Sequence, residues 1–248
     1  MFKYLSYLFL LLSLSVHSAH AIMIIGHRGA CGYETENTLA SFEKAIELGV
    51  DMIELDVWRC ASGELVVFHD KFVDKLTDHS GYIIKKSLEE INQLRMQNNH
   101  SIPTLKEVFD CVNRRVKIDI ELKNRQVTPL VVALIEEYVD QKGWSYDDFL
   151  VTSFDHCALH EFKALCPHVK IGTLLGSIPL TLGAFADEIN TDVVILNGDC
   201  INQAIVTDIH TRGKQVFVYT INNPQEIQEM KELGIDGIIT NYPDRIIQ

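Results

Sequence analysis

Short apolar runs recur along the chain, and most are followed by a stretch with helical spacing. The first run, Met23-Ile-Ile, stops at Gly26-His-Arg-Gly29. This reads as a buried strand ending in a turn, where glycine lets the backbone bend and approach a ligand. Leu39, Phe42, Ala45, Ile46 and Leu48 then repeat at helical intervals, between a cap at Asn37 or Thr38 and a stop at Gly49. Further strands are predicted at 51–58, 116–123, 149–153, 170–175, 192–196, 215–220 and 237–240. Helices are predicted after Pro103 with a Thr104–Glu107 capping box, from Thr128-Pro129, over 157–166, near 180–188, over 201–212, and from Asn223-Pro224 to Gly234. Eight βα-type units in sequence predict an α/β fold, a (β/α)8 TIM barrel, with a short last helix in 241–248.

Two of the strands carry charge where a parallel barrel buries both faces. In Asp51-Met-Ile-Glu-Leu-Asp-Val-Trp58, alternation puts Ile53, Leu55 and Val57 on one face and Glu54 and Asp56 on the other. In Val116-Lys-Ile-Asp-Ile-Glu-Leu-Lys123, Ile118, Ile120 and Leu122 face the helices while Asp119, Glu121 and Lys123 share the inward face. Buried carboxylates repel one another unless a cation lies between them. Glu54, Asp56 and Glu121 are therefore candidate metal ligands, and their hard oxygens suit Ca²⁺ or Mg²⁺ better than zinc. Lys123 at the rim and Arg28 after the first strand are candidate anion ligands. Asp119 falls one layer deeper, where a structural partner is expected. Barrel chemistry gathers at the strands' C-terminal ends, which is where His27, the acids and Lys123 fall.

The second strand does not lead directly into a helix. Arg59-Cys-Ala-Ser-Gly63 reads as a turn into Glu64–Phe68, a hairpin that brings His69 back near the level of Asp56. Residues 71–102 lack clear periodicity and read as a small insertion over the barrel mouth, with a short helix around 88–94.

The chain has 248 residues, 47% of them hydrophobic, which is enough for one barrel domain. A formal charge of −12 argues against nucleic acid or an anionic membrane surface as the main partner, so an anionic substrate needs local cations. Lys3, the apolar stretch Leu5–Val16 and Ala19-His-Ala21 read as a cleaved export signal over 1–21. The mature chain is then 22–248, periplasmic or secreted and without a membrane span; initiation at Met23 would instead leave it cytoplasmic. The six cysteines contain no C-x-x-C, so free thiols are expected, with pairing left open by an exported location.

Several stretches together resemble the glycerophosphodiester phosphodiesterase family. They are Gly26-His-Arg-Gly29, Glu36-Asn-Thr38, Glu54-Leu-Asp56, His69-Asp70, Glu121-Leu-Lys123, Val151-Thr-Ser-Phe154, Val218-Tyr-Thr-Ile-Asn222 and Gly237-Ile-Ile-Thr-Asn-Tyr-Pro-Asp244, in the family's order. The resemblance implies a distorted barrel like that of phosphatidylinositol phospholipase C and a divalent cation, commonly calcium or magnesium. It further implies hydrolysis of a small glycerophosphodiester, such as glycerophosphocholine or glycerophosphoethanolamine, to sn-glycerol 3-phosphate and an alcohol. His27 and His69 would share the base and acid roles, in an order the motifs do not fix, with His27 taken as the base; Arg28 and Lys123 would hold phosphate, and Tyr219 would line the glycerol side. The chain departs from the family pattern at Thr35 (usually Pro), Tyr219 (usually Trp) and Asn241 (often Asp). Alternatives are a lysophospholipase D or sphingomyelinase-D-like enzyme, and a non-catalytic binding barrel. Head-group preference and oligomeric state are not encoded in these motifs.

Overall fold

The structure, a computed structural model, describes residues 22–247. The export signal read at 1–21 lies outside the described residues. Among the described residues nine strands are present: β1 (Met23–Gly26), β2 (Met52–Arg59), β3 (Leu65–Val67), β4 (Lys117–Leu122), β5 (Phe149–Ser153), β6 (Lys170–Leu175), β7 (Val193–Asn197), β8 (Gln215–Tyr219) and β9 (Gly237–Thr240). Eight of them run parallel in the order β1-β9-β8-β7-β6-β5-β4-β2, and β1 pairs with β2 to close the barrel. The remaining strand, β3, runs antiparallel along the outer half of β2, with Val57 opposite Val67 and Arg59 opposite Leu65.

Two apolar shells and one plug hold the barrel. On the outside, Ile53, Leu55, Val57, Ile118, Ile120 and Leu122 pack under α1 (Leu39–Glu47), α3 (Leu105–Val112), α4 (Thr128–Lys142) and α5 (His156–Leu165). A second outer cluster joins β7, β8 and β9 to α7 (Gln203–Thr211), α8 (Pro224–Leu233) and α9 (Asp244–Ile247). Inside, Ile25, Met52, Leu150, Leu174, Val193, Ile195, Phe217 and Ile239 fill the barrel. Each such buried side chain contributes about 1.5–3 kcal/mol relative to exposure. The charged inward residues of β2 and β4 therefore stand on a packed apolar floor.

The expected helix starts hold in detail. Thr38 caps α1, and Thr104 with Glu107 forms a full capping box on α3. One expectation needs correction: the helix read over 180–188 is only α6 (Phe185–Ile189). Pro179 and Gly183 interrupt the pattern, Leu182 takes a left-handed φ of 51°, and Leu180 is left in solvent. The insertion after β3 contains α2 (Leu88–Gln93) and a small core of its own. Val73, Ile83, Ile91, Leu94, Met96 and Ile102 pack on Trp58, Val66 and Phe68 of the hairpin. All six cysteines are free thiols. No described helix is long and apolar enough to cross a membrane.

Candidate active site

The turn after β1 is built around two glycines. Gly29 has φ +85°, and a Cβ there would come within 2.6 Å of the Ser41 backbone. A Cβ at Gly26 would meet the Gly29 carbonyl at 2.7 Å. Only glycine permits this close fold, which aims His27 and Arg28 across the barrel mouth. The Arg28 amide donates to Glu54 Oε2 at 2.8 Å, tying the turn to β2.

Glu54, Asp56 and Glu121 are all buried, and one potential ligand atom from each lies within 4.8 Å of the other two. Register explains the meeting: Asp56 of β2 sits beside Glu121 of β4 in the sheet, and both point inward. Lys123 Nζ donates to Asp56 Oδ1 at 3.1 Å and to Glu121 Oε1 at 2.7 Å. Burial would raise the Asp56 carboxyl, but Lys123 and Arg28 overcome it and hold Asp56 below the usual carboxylate range. Burial, together with Asp56, Asp119 and Glu121, pushes Glu54 well up, and burial with Asp56 pushes Glu121 to about 7. Lys123 and Arg28 together thus fail to neutralise three acids. A further divalent cation fits this donor set, since hard oxygens in a strained anionic cluster are what Ca²⁺ or Mg²⁺ takes.

A pH-dependent consequence follows. Glu121, with an unfolded value near 4.5, keeps its proton in the metal-free fold up to about pH 7, and burial beside three acids shifts Glu54 in the same direction. Cation binding must expel those protons, so affinity rises with pH, by up to about tenfold per unit for each proton displaced. At fixed Mg²⁺ or Ca²⁺, the gain in Tm should be larger at pH 8 than at pH 6. A gain independent of pH across that interval contradicts the carboxyl assignment.

The two histidines are held in different ways. His27 Nδ1 is 2.6 Å from Asn241 Oδ1, whose own backbone amide donates to Asn222 Oδ1. The amide oxygen fixes the hydrogen on Nδ1 and leaves Nε2 as an acceptor. Burial first, and Arg28 second, push the His27 imidazole down to about 4, so it is neutral at physiological pH. His69 returns through the hairpin as expected. The five-residue connection 60–64 sets Phe68 against Asp56, with the Phe68 amide on the Asp56 carbonyl, and Trp58 Nε1 donates to the His69 carbonyl. Its Nδ1 lies 2.6 Å from Asp70 Oδ1, which gives an imidazolium a counter-ion.

Arg28 is fastened at Nη1 to Glu36 Oε1, 2.7 Å away, while its buried Nε has no hydrogen-bond partner and lies 3.6 Å from Asp56. His27, Arg28, Glu54, His69, Asp119, Glu121, Thr152, Phe154, Leu174 and Tyr219 line a cavity of about 190 Å³. Tyr219 stands edge-on to Phe154 and donates its hydroxyl to the Leu175 carbonyl at 3.2 Å. Past His69 this cavity opens into a groove of about 460 Å³ bounded by Trp58, Lys71, Lys123 and Phe154.

Of the site residues named from sequence, all but Asp56 line this cavity or groove, Asp56 lying 3.1 Å from Lys123 Nζ, and four partners had no role assigned beforehand. Asn37, in a left-handed φ of 57°, donates from Nδ2 to Asp56 Oδ2 at 2.8 Å. Glu36, Asp70 and Asn241 hold Arg28, His69 and His27. All four fall inside the quoted motifs, so the motifs signalled their positions but not their contacts.

The sequence profile of the Glycerophosphoryl diester phosphodiesterase family matches residues 27–245. The glycerophosphodiester phosphodiesterase of Caldanaerobacter subterraneus subsp. tengcongensis is 32% identical, covering 91% of this chain and 96% of its own. Human lysophospholipase D GDPD1 is 25% identical, covering 90% of this chain and 84% of its own. Among solved structures, an Oleispira antarctica phosphodiesterase in complex with the product sn-glycerol-3-phosphate superposes with TM-score 0.84. It is 29% identical, and the match covers 91% of this chain and 95% of that one.

Proposed function

Since the chain belongs to the glycerophosphoryl diester phosphodiesterase family, we propose how its residues divide the hydrolysis of glycerophosphodiesters to sn-glycerol 3-phosphate and an alcohol. The observation that carries the reading is the trio Glu54, Asp56 and Glu121, with ligand atoms within 4.8 Å of one another beside two histidines and two cations. A Ca²⁺ or Mg²⁺ ion held by these three acids would neutralise phosphate charge and acidify a nearby hydroxyl.

The protein's own groups do the rest. Neutral His27 takes the proton of the glycerol 2-hydroxyl at Nε2 as that oxygen attacks phosphorus. His69, its Nδ1 against Asp70 Oδ1, gives a proton to the head-group oxygen, and the alcohol leaves a cyclic glycerol phosphate. Water then attacks phosphorus, passing its proton to His69, while His27 returns its proton to the 2-oxygen. Both histidines finish in their starting states. Arg28, with its Nε unpartnered, and Lys123 hold the non-bridging phosphate oxygens. Asn241, Asp70, Glu36 and Asn37 keep these groups oriented. The leader pattern at 1–21 supports action outside the cytoplasm.

On this arrangement the glycerol moiety lies beside His27 and Tyr219, and the head group lies along the wider groove past His69. A cavity of about 190 Å³ fits a glycerol but not a long acyl chain attached to it. Glycerophosphocholine should therefore be turned over with at least about tenfold higher kcat/KM than lysophosphatidylcholine, on the scale by which pockets discriminate by fit. Measuring choline release from both, below the micellar concentration of the lysolipid, tests this. A preference for the lysolipid would instead favour the lysophospholipase D reading.

A further inference from the structure

Asp119 is the inward acid that neither the cation nor the phosphate reading uses. It lies beside Glu54 in the sheet register, one layer below Glu121, and is 1% exposed. The structural partner expected for it is Thr152, whose Oγ1 donates to Asp119 Oδ1 at 2.8 Å. The other oxygen, Oδ2, is buried with no hydrogen-bond partner, and Asp119 lines the cavity of about 190 Å³. Buried carboxyl oxygens are almost always satisfied, and an orphan at the bottom of a cavity marks a place for a ligand's polar group. The hydroxyls of Thr152 and Tyr219 are already used: Thr152 bonds Asp119, and Tyr219 bonds the Leu175 carbonyl. Leu174 and Ile239 add apolar wall. Below the charged rim of His27, Arg28, Glu54, His69 and Glu121, Asp119 Oδ2 is thus the buried acid oxygen left without a partner.

We propose that Asp119 is a substrate-binding residue whose free carboxyl oxygen hydrogen-bonds the terminal hydroxyl of the glycerol moiety and so selects glycerol over diols that lack it. The inference rests on the assignment of this cavity to glycerol. With the 2-hydroxyl at His27 and the three-carbon chain against Leu174 and Tyr219, the terminal hydroxyl is the group left to reach the floor. Thr152 acts as the positioning residue for the carboxyl. A site built to bond a hydroxyl rejects an analogue without one, because the protein's own polar atom is then stranded.

The test compares kcat/KM for glycerophosphocholine and for the matched propane-1,2-diol phosphocholine diester, following choline release from the full chain in saturating Mg²⁺ or Ca²⁺. The wild type should prefer the glycerol diester by about tenfold or more. Asp119→Leu should erase most of that preference by lowering kcat/KM for the glycerol diester alone. Asp119→Asn, whose amide still reaches the hydroxyl, should keep it. Effects on cation affinity or folding act on both substrates and cancel in the ratio. If Asp119→Leu lowers both diesters equally, the inference is overturned. It is overturned without any variant if the wild type treats the two within about twofold of each other, well short of that discrimination. Turnover of neither diester would sink the functional reading as well, whereas turnover without discrimination sinks only the role of Asp119.

Discussion

Glu54→Gln should abolish cation-supported turnover while leaving the metal-free protein as stable as the wild type, or more so. Burial and three neighbouring acids push the Glu54 carboxyl well up, so in the metal-free fold its ionised form is strained. Glutamine has the same shape and stays neutral, and its amide oxygen can still accept from the Arg28 backbone amide as Oε2 does at 2.8 Å. The repulsion disappears and the fold loses nothing. The cation, however, loses one of three anionic ligands. Replacing residues that merely orient metal ligands already costs about 10–100-fold in affinity or activity, so a direct ligand should cost at least about a hundredfold. Calorimetric titration with Ca²⁺ or Mg²⁺ and the Tm of the metal-free variant are read together. Unchanged cation affinity would remove Glu54 from the ligand set. Lost affinity with a collapsed Tm would mark it as structural.

His27→Asn and His69→Asn should each lower kcat by about 10²–10⁴, with KM much less affected, as expected for groups that move protons in the transition state. The two variants differ in what they disturb structurally. His27 is fastened to Asn241 at the end of the neighbouring strand β9, and His69 to the adjacent Asp70 at the barrel rim. Because His27 sits near 4, kcat should not fall on the acid side through loss of the base until the pH approaches that value. The sign for stability is opposite to that of a histidine gaining a carboxylate. The unfolded chain, with its histidine near 6.5, binds the proton that folded His27 refuses, so this residue's contribution is present above about pH 6.5 and is lost as pH falls toward 4. A near-wild-type kcat in either variant removes that histidine from proton transfer.

Strand alternation carried most of the fold and much of the site into view before any coordinates. Period two in 51–58 and 116–123 separates Ile53, Leu55 and Val57 from Glu54 and Asp56, and Ile118 from Asp119, because each side of a parallel strand is committed by its neighbours. Hairpin counting brought His69 to the acids because only five residues, 60–64, separate its strands. What stayed hidden has physical causes. The contact between His27 and Asn241 spans 214 residues and depends on barrel closure, which no local pattern encodes. Lys123 was read as free to meet an anion, yet it also bridges Asp56 and Glu121, a distinction set by side-chain rotamer and not by register. The insertion showed no period because its core draws single residues such as Val73, Ile83 and Met96 from separate short segments. Near 180–188 an apolar pattern suggested a longer helix than Pro179 and Gly183 permit.

The most direct test of the whole account is release of sn-glycerol 3-phosphate from glycerophosphocholine, coupled to glycerol-3-phosphate dehydrogenase and followed before chelation, after EDTA, and after re-addition of Mg²⁺ or Ca²⁺. The account predicts turnover, its loss on chelation, and its recovery with the cation. Full-rate release by the chelated protein, or release of choline phosphate in place of glycerol 3-phosphate, would contradict it.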